Sequence, residues 1–188
     1  MSANHEALDG EAVVAATRRW LERAVIGLDL CPFARPVHLS GRIRYAVSQA
    51  RDADGLLEDF SRELTVLQEA DPAQWETSLL IHPHAMTDFL DYNDFLEVAD
   101  AAIEAMGLEG ELQVASFHPQ YQFAGTGADD IDNYSNRSPF PTLHLLRESS
   151  VERAIDAHPD AGRIFEKNIE TLRRLGHAGW RRLWTDDA

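Results

Sequence analysis

The stretch Ser116–Arg147, SFHPQYQFAGTGADDIDNYSNRSPFPTLHLLR, limits the possible folds more than any other part of the chain. It begins and ends in apolar, strand-like text, Leu112–Phe117 and Thr142–Leu146, with no helical pattern between them. Strands joined without a crossover helix pair most economically as antiparallel neighbours. The intervening segment exceeds the ~12–15 residues beyond which a structureless loop in a compact domain is usually functional or disordered. It carries Tyr121, Phe123, Ile131, Tyr134 and Phe140, too much apolar bulk for disorder. The expectation is an ordered loop built around a site.

The remaining elements follow from periodicity. Val13, Thr17, Trp20, Leu21, Ala24, Val25 and Leu28 share a helical face, so a first helix is expected from about Asp9 to Leu28. It ends before Cys31-Pro32, because a residue preceding proline avoids helical torsions. CPFARPVHLSG reads as a loop leading to a strand at Ile43, Tyr45 and Val47. Asp52 or Asp54 caps a second helix bearing Leu57, Phe60, Leu64 and Leu67, ended by Asp71-Pro72. Ser78–Ile81 has the unbroken apolar run of a buried strand and stops at His82-Pro83-His84. Thr87 or Asp88 caps a helix whose stripe is Tyr92, Phe95, Leu96, Ala99, Ile103 and Met106, with Gly107 as terminator. After the fourth strand, Ser149-Ser150-Val151-Glu152 reads as a capping box opening a short helix that Pro159 stops. A last helix carries Ile164, Phe165, Ile169, Leu172 and Leu175 and closes at Gly176, and the tail with Trp180 and Trp184 packs onto the body.

These elements predict an α/β (α+β) fold: a single-domain mixed β-sheet of about four strands covered by helices, with a long ordered loop between the last two strands. The domain spans residues 1–188, with a flexible 1–8, a core at 9–178 and a C-terminal tail at 179–188. Such a length can bury a real core. The net charge of −15 argues against nucleic acid, whose binding rests on Lys and Arg neutralising phosphates, and against anionic membrane surfaces. Cys31 is the only cysteine, so there is no internal disulfide and no CxxC site, which fits a reducing cytoplasm. MSANHEALDGE lacks the apolar core of a signal peptide, and no apolar run approaches the ~20 residues needed to cross a bilayer. A soluble, cytoplasmic protein is expected.

In open α/β sheets ligands bind beyond the carboxyl ends of the strands. His82 and His84 follow the second strand there, and His118 follows the third. An antiparallel fourth strand would start at the same edge and bring His144, Asn136 and Arg137 to one rim. Three chemistries suit that rim. A metal site would take His82, His84, His118 and His144 with Asp132 or Asp129 as the carboxylate, a donor set suited to zinc or iron, although no HExxH or CxxC spacing accompanies it. Nucleophilic chemistry would use Cys31, which needs a depressed pKa that the end of the preceding helix opposes; the alternative is a buried small hydrophobe. Recognition of a small polar or anionic molecule would use the planar fork of Arg137, with Tyr121, Gln120, Gln122, Asn133 and Asn136 as partners and His118 transferring a proton. Gly125 and Gly127 allow close backbone approach. The alternative is that these side chains satisfy one another while ordering the loop.

LDLCPFA at Leu28–Ala34, together with SFHPQYQFAG…NYSNRSPFPTLHLLRESS at Ser116–Ser150, resembles the DUF1415 family, proteins of similar length found in bacteria and with relatives in plants. The resemblance runs from the first helix to the last. It implies that Cys31 belongs to one signature with His118 and Arg137. The family carries no assigned function, so it transfers no catalytic residue. The leading expectation is an enzyme acting on a small polar or anionic molecule, with His118 as general acid or base, Arg137 as clamp, and Asn133 and Asn136 orienting the substrate. From other classes come a non-catalytic metal- or ligand-binding protein built on the histidines, and an interaction module whose acidic loop docks a partner.

Overall fold

Four strands, β1 (Ile43–Val47), β2 (Thr77–Ile81), β3 (Leu112–Phe117) and β4 (Thr142–Arg147), form one sheet in the order β1-β2-β4-β3. β1 and β2 are parallel, while β4 runs antiparallel to both β2 and β3. The missing crossover helix between β3 and β4 thus has the expected result: the returning strand inserts between β2 and β3, and β1, β2 and β3 all end at one edge. The computed structural model describes residues 9–158 and 161–185. The expected flexible segment 1–8 and the helix stop at Pro159 lie outside these residues.

Alternation along each strand assigns the two faces. Leu80, Leu112, Val114, Leu143 and Leu145 face α3 (Ala53–Glu69) and α4 (Phe89–Ala105), forming the main core with Leu56, Phe60, Leu64, Tyr92 and Phe95. Asp52 and Asp88 accept from the first-turn backbone N–H groups of these two helices, as their capping positions predict. On the same face Glu63 accepts two bonds of 2.8 Å from Arg44 and one of 3.0 Å from Ser78, so its carboxylate is fully engaged though nearly buried.

The opposite face is covered unevenly. α1 (Gly10–Trp20) widens into a π-helical turn at Leu21–Ile26, matching the predicted single helix, and Val13 packs on Leu79 and Ile81. α6 (Ile164–Arg182) brings Leu172 and Trp180 into a second core with Trp20, Leu21 and Val25, so the tryptophan tail does pack onto the body. Over β3 and the lower part of β4 this face offers only Gln113, Ala115 and His144 between Phe117 and Leu146, and two short helices roof it: α2 (Ala34–Leu39) and α5 (Glu148–Asp156). Neither buries a residue completely.

Three local expectations need correction. CPFARPVHLSG is not all loop: α2 forms within it, because Pro36 falls in the first turn, where no intrahelical N–H is needed. α5 starts at Glu148 directly from β4, so Ser149 does not cap it; the N–H of Glu148 is taken by the Glu111 carbonyl at 3.0 Å. Gly176 breaks the helical path at φ 62°, ψ 172°, yet helix resumes to Arg182 instead of ending. Gly107, by contrast, ends α4 at φ 70° as expected. Gly107→Ala forces a side chain into that left-handed conformation and should lower stability by about 1 kcal/mol in urea unfolding; an unchanged midpoint would contradict it. Among the described residues no helix is long and apolar enough to cross a membrane.

Candidate functional site

Three of the four expected histidines reach the rim: His82 and His84 follow the end of β2, and His118 follows that of β3. His82 and His118 are completely buried against the Tyr92 ring, at centroid distances of 5.7 and 5.0 Å. The Ala85 carbonyl lies 2.9 Å from Nδ1 of His82, so that nitrogen carries the proton and donates. Burial lowers the pKa of His82 to about 4. Nδ1 of His118 accepts from the Gln120 N–H at 3.0 Å, leaving Nε2 to donate to the Met86 carbonyl at 3.2 Å, and burial lowers its pKa too. Both rings thus brace the turn in which Met86 stands at φ 51°. Nε2 of His82 and Nε2 of His84 are buried without a partner among the described residues.

His144 is elsewhere. It pairs with Leu79 and Ala115 in the interior of β4, on the face opposite the main core. One position decides this: Leu143 and Leu145 fill the core, so the residue between them faces the other way. Asp132 is bound by Arg173 at 2.7 and 3.0 Å, and Asp129 offers its carbonyl to His177 at 2.9 Å. The donors expected to hold zinc or iron are therefore split between two faces and a loop. Among the described residues no group of three or more His, Cys, Asp or Glu is placed to bind a metal, so the residues do not fit the metal reading.

The long loop is ordered, and by its own polar residues. Asn133, fully buried, accepts from the N–H of Phe123 at 3.0 Å and the hydroxyl of Thr126 at 2.8 Å, and donates to the Gly127 carbonyl at 2.8 Å. Asn136 donates to the Ser116 carbonyl and Gln122 to that of Thr126. Arg137 donates to the carbonyls of Tyr121 and Ala128, and its guanidinium lies 4.4 Å from the Tyr134 ring centre. Tyr121 rests against Phe89 and Phe123. Arg137 is thus a staple inside the loop where an anion clamp was expected, and the mutual-satisfaction alternative describes these side chains.

The room for a ligand lies on the other face. A cavity of about 570 Å³, within the range of small-molecule sites, opens beneath α2 and α5 where the sheet presents Gln113, Ala115 and His144. Trp20, Leu21, Val25, Leu79, Phe117 and Leu146 supply its apolar wall. Cys31 lines it, half-buried; burial raises the pKa of the thiol, the backbone N–H groups of Phe33 and Ala34 oppose that rise, and the Asp29 carboxylate adds to it. His144 lines it as well. The Thr77 hydroxyl donates to the Leu145 carbonyl at 2.5 Å, so it can only accept from Nε2 of His144, 2.7 Å away. Nδ1 of His144 then carries a lone pair and has no partner among the described residues. Burial lowers this pKa to about 4, which keeps the ring neutral at neutral pH.

Three arginines and a single carboxylate complete the lining. Glu76, 9% exposed, is held between Arg42 at one oxygen and Arg153 at the other, 3.2 Å away. Arg147 turns its guanidinium to the Leu67 and Ala70 carbonyls that end α3. With Arg147 turned away, the lining still holds two arginines to one carboxylate in a chain of net charge −15. Sequence reasoning missed Arg42, Glu76 and Arg153, which three separate elements supply. The available signal was weak: small or polar Gln113, Ala115 and His144 at alternate positions of β3 and β4, where an ordinary second face would carry bulk.

The comparisons agree with the motifs. Neither the curated proteins nor the solved structures include a match to the chain. The model of the family described as "Protein of unknown function (DUF1415)" matches residues 12–182, a span that contains the cavity wall, the long loop and α6, and the chain belongs to this family.

Proposed function

We propose that the protein is an enzyme acting on a small anionic molecule bound in the cavity beneath α2 and α5. The observation that carries this reading is the lining itself: an excess of arginine in an acidic protein, beside a cysteine and an unprotonated histidine. The acid–base role expected of His118 passes to His144, because both nitrogens of His118 are engaged with backbone while Nδ1 of His144 is open. The thiol of Cys31 rests protonated, so reaction at sulfur requires a base, and the cavity lining holds two imidazoles, His144 and His158. The anion-binding role expected of Arg137 passes to Arg42 and Arg153.

Alkylation of Cys31 tests this. Iodoacetate and iodoacetamide differ in charge and scarcely in size, and the urea-unfolded chain gives their intrinsic rate ratio at this thiol. In the folded protein the ratio should shift several-fold toward iodoacetate, and Arg153→Gln should reduce the shift. An unchanged ratio, or no labelling of the folded protein by either reagent, would rule out an anion-selective cavity that exposes Cys31.

A further inference from the structure

The strand register polarises the cavity from end to end. Arg42 and Glu76 immediately precede β1 and β2, and Arg153 bonds to Glu76, so this charged cluster lies at the edge where the parallel strands begin. Phe117 ends β3 at the opposite edge, with the Trp20 ring 5.2 Å from it. From Leu112, opposite Arg147, to Phe117 the strand advances roughly 17 Å. Between the two ends the sheet surface is Leu79, Ala115 and His144, with no second charged cluster. The charged end also keeps donors in reserve: Nη2 of Arg42 and Nη1 of Arg153 bond to no described group, and the one carboxylate between the two guanidiniums leaves an excess positive charge.

Resting on the reading of this cavity as an anion site, we infer that its ligands are amphipathic: an oxyanion head bound by Arg42 and Arg153, and an unbranched apolar tail laid along the sheet toward Trp20 and Phe117. A compact anion would leave the apolar end unused, and a neutral apolar molecule would leave the guanidinium donors unanswered. In this pose His144, opposite Leu79 and Ala115, lies beside the tail and not at the head.

Titration calorimetry on the full chain, with butyrate, hexanoate, octanoate, 1-octanol and octyl phosphate below their micelle concentrations, tests the inference. Affinity should rise about fourfold for each added methylene. Octanol should bind about tenfold more weakly than octanoate, having lost the charge-assisted bonds. Arg153→Gln should weaken octanoate up to about fivefold, the arginine being exposed, and leave octanol unchanged. Ala115→Leu, on the sheet between the two ends, should reduce the advantage of octanoate over butyrate. Octyl phosphate exceeding octanoate would identify the head as a phosphate, and the reverse as a carboxylate. Equal binding of all three carboxylates would overturn the amphipathic inference, while a persisting preference of Cys31 for iodoacetate would leave the anion site standing. Octanol matching octanoate, or no binding by any member of the series, would overturn the inference as well.

Discussion

Lowering the pH from 7 to 5 is expected to remove about 3 kcal/mol of folding stability through two buried histidines. His82 and His144 each have a pKa lowered to about 4 by burial, against an ordinary value of 6.5. Between those values the unfolded chain binds protons that the folded chain refuses. Their contribution is therefore complete above pH 6.5 and is lost as the pH falls toward 4. At pH 5 the loss is about 2 kcal/mol for His82 and smaller for His144, which water reaches through the cavity. His118 shifts in the same direction and adds to the slope. An opposing change comes from the surface, where a chain of net charge −15 loses self-repulsion on acidification. The decisive quantity is thus a difference. His144→Gln keeps a donor for Thr77 and removes the titration, so urea unfolding at both pH values should show a shallower pH dependence in the variant than in the wild type. Parallel curves would mean that His144 is not held neutral, and the base assigned to the cavity would go with it.

Several local decisions were legible in the sequence, although the helix at Ala34–Leu39, the start of α5 and the path past Gly176 were not. The antiparallel return of β4 followed from a connection without a helix, and the order of the long loop followed from its aromatic residues, which pack against α4 and α6. The caps at Asp52 and Asp88 and the stop at Gly107 were likewise written in neighbouring residues. The site depended on relations that no local pattern holds. Arg42, Glu76 and Arg153 meet because β1 neighbours β2 and because α5 folds back from the end of β4. The polar loop misled for a different reason. Asn133, Asn136 and Arg137 are the residues a binding site needs, and they are also the residues a long loop needs to satisfy its own backbone. His144 could be assigned to its face once Leu143 and Leu145 were recognised as core, since alternation leaves no other choice. Taking it for a rim residue placed it by the start of β4 and neglected that parity.

Tyr92 carries the second large expected effect, because it joins the core to the loop. It reads in the sequence as one apolar stripe residue of α4, and the ring is indeed completely buried, stacked on His82 and tilted against His118. Its hydroxyl adds what the stripe does not show. It donates to the Thr142 carbonyl at 2.9 Å and accepts from the Phe117 N–H at 3.1 Å, tying the last residue of β3 to the first of β4 at the two ends of the long loop. Burial pushes the phenol pKa up, so the group stays a neutral donor. Tyr92→Phe keeps the ring and orphans two backbone groups, at a cost of about 2 kcal/mol. Tyr92→Ala also empties the space the ring fills against the histidines and should cost about 5 kcal/mol, a large share of the 5–15 kcal/mol that holds a typical domain. Chemical denaturation gives both values. Amide exchange separates the causes, since only loss of the hydroxyl acceptor should speed exchange at Phe117 in the Tyr92→Phe protein while the core amides of α3 stay protected. A Tyr92→Phe protein within about 0.5 kcal/mol of wild type would show that neither backbone group depends on the hydroxyl. The long loop would then be held by Asn133, Asn136 and Arg137 and by its contacts with α6.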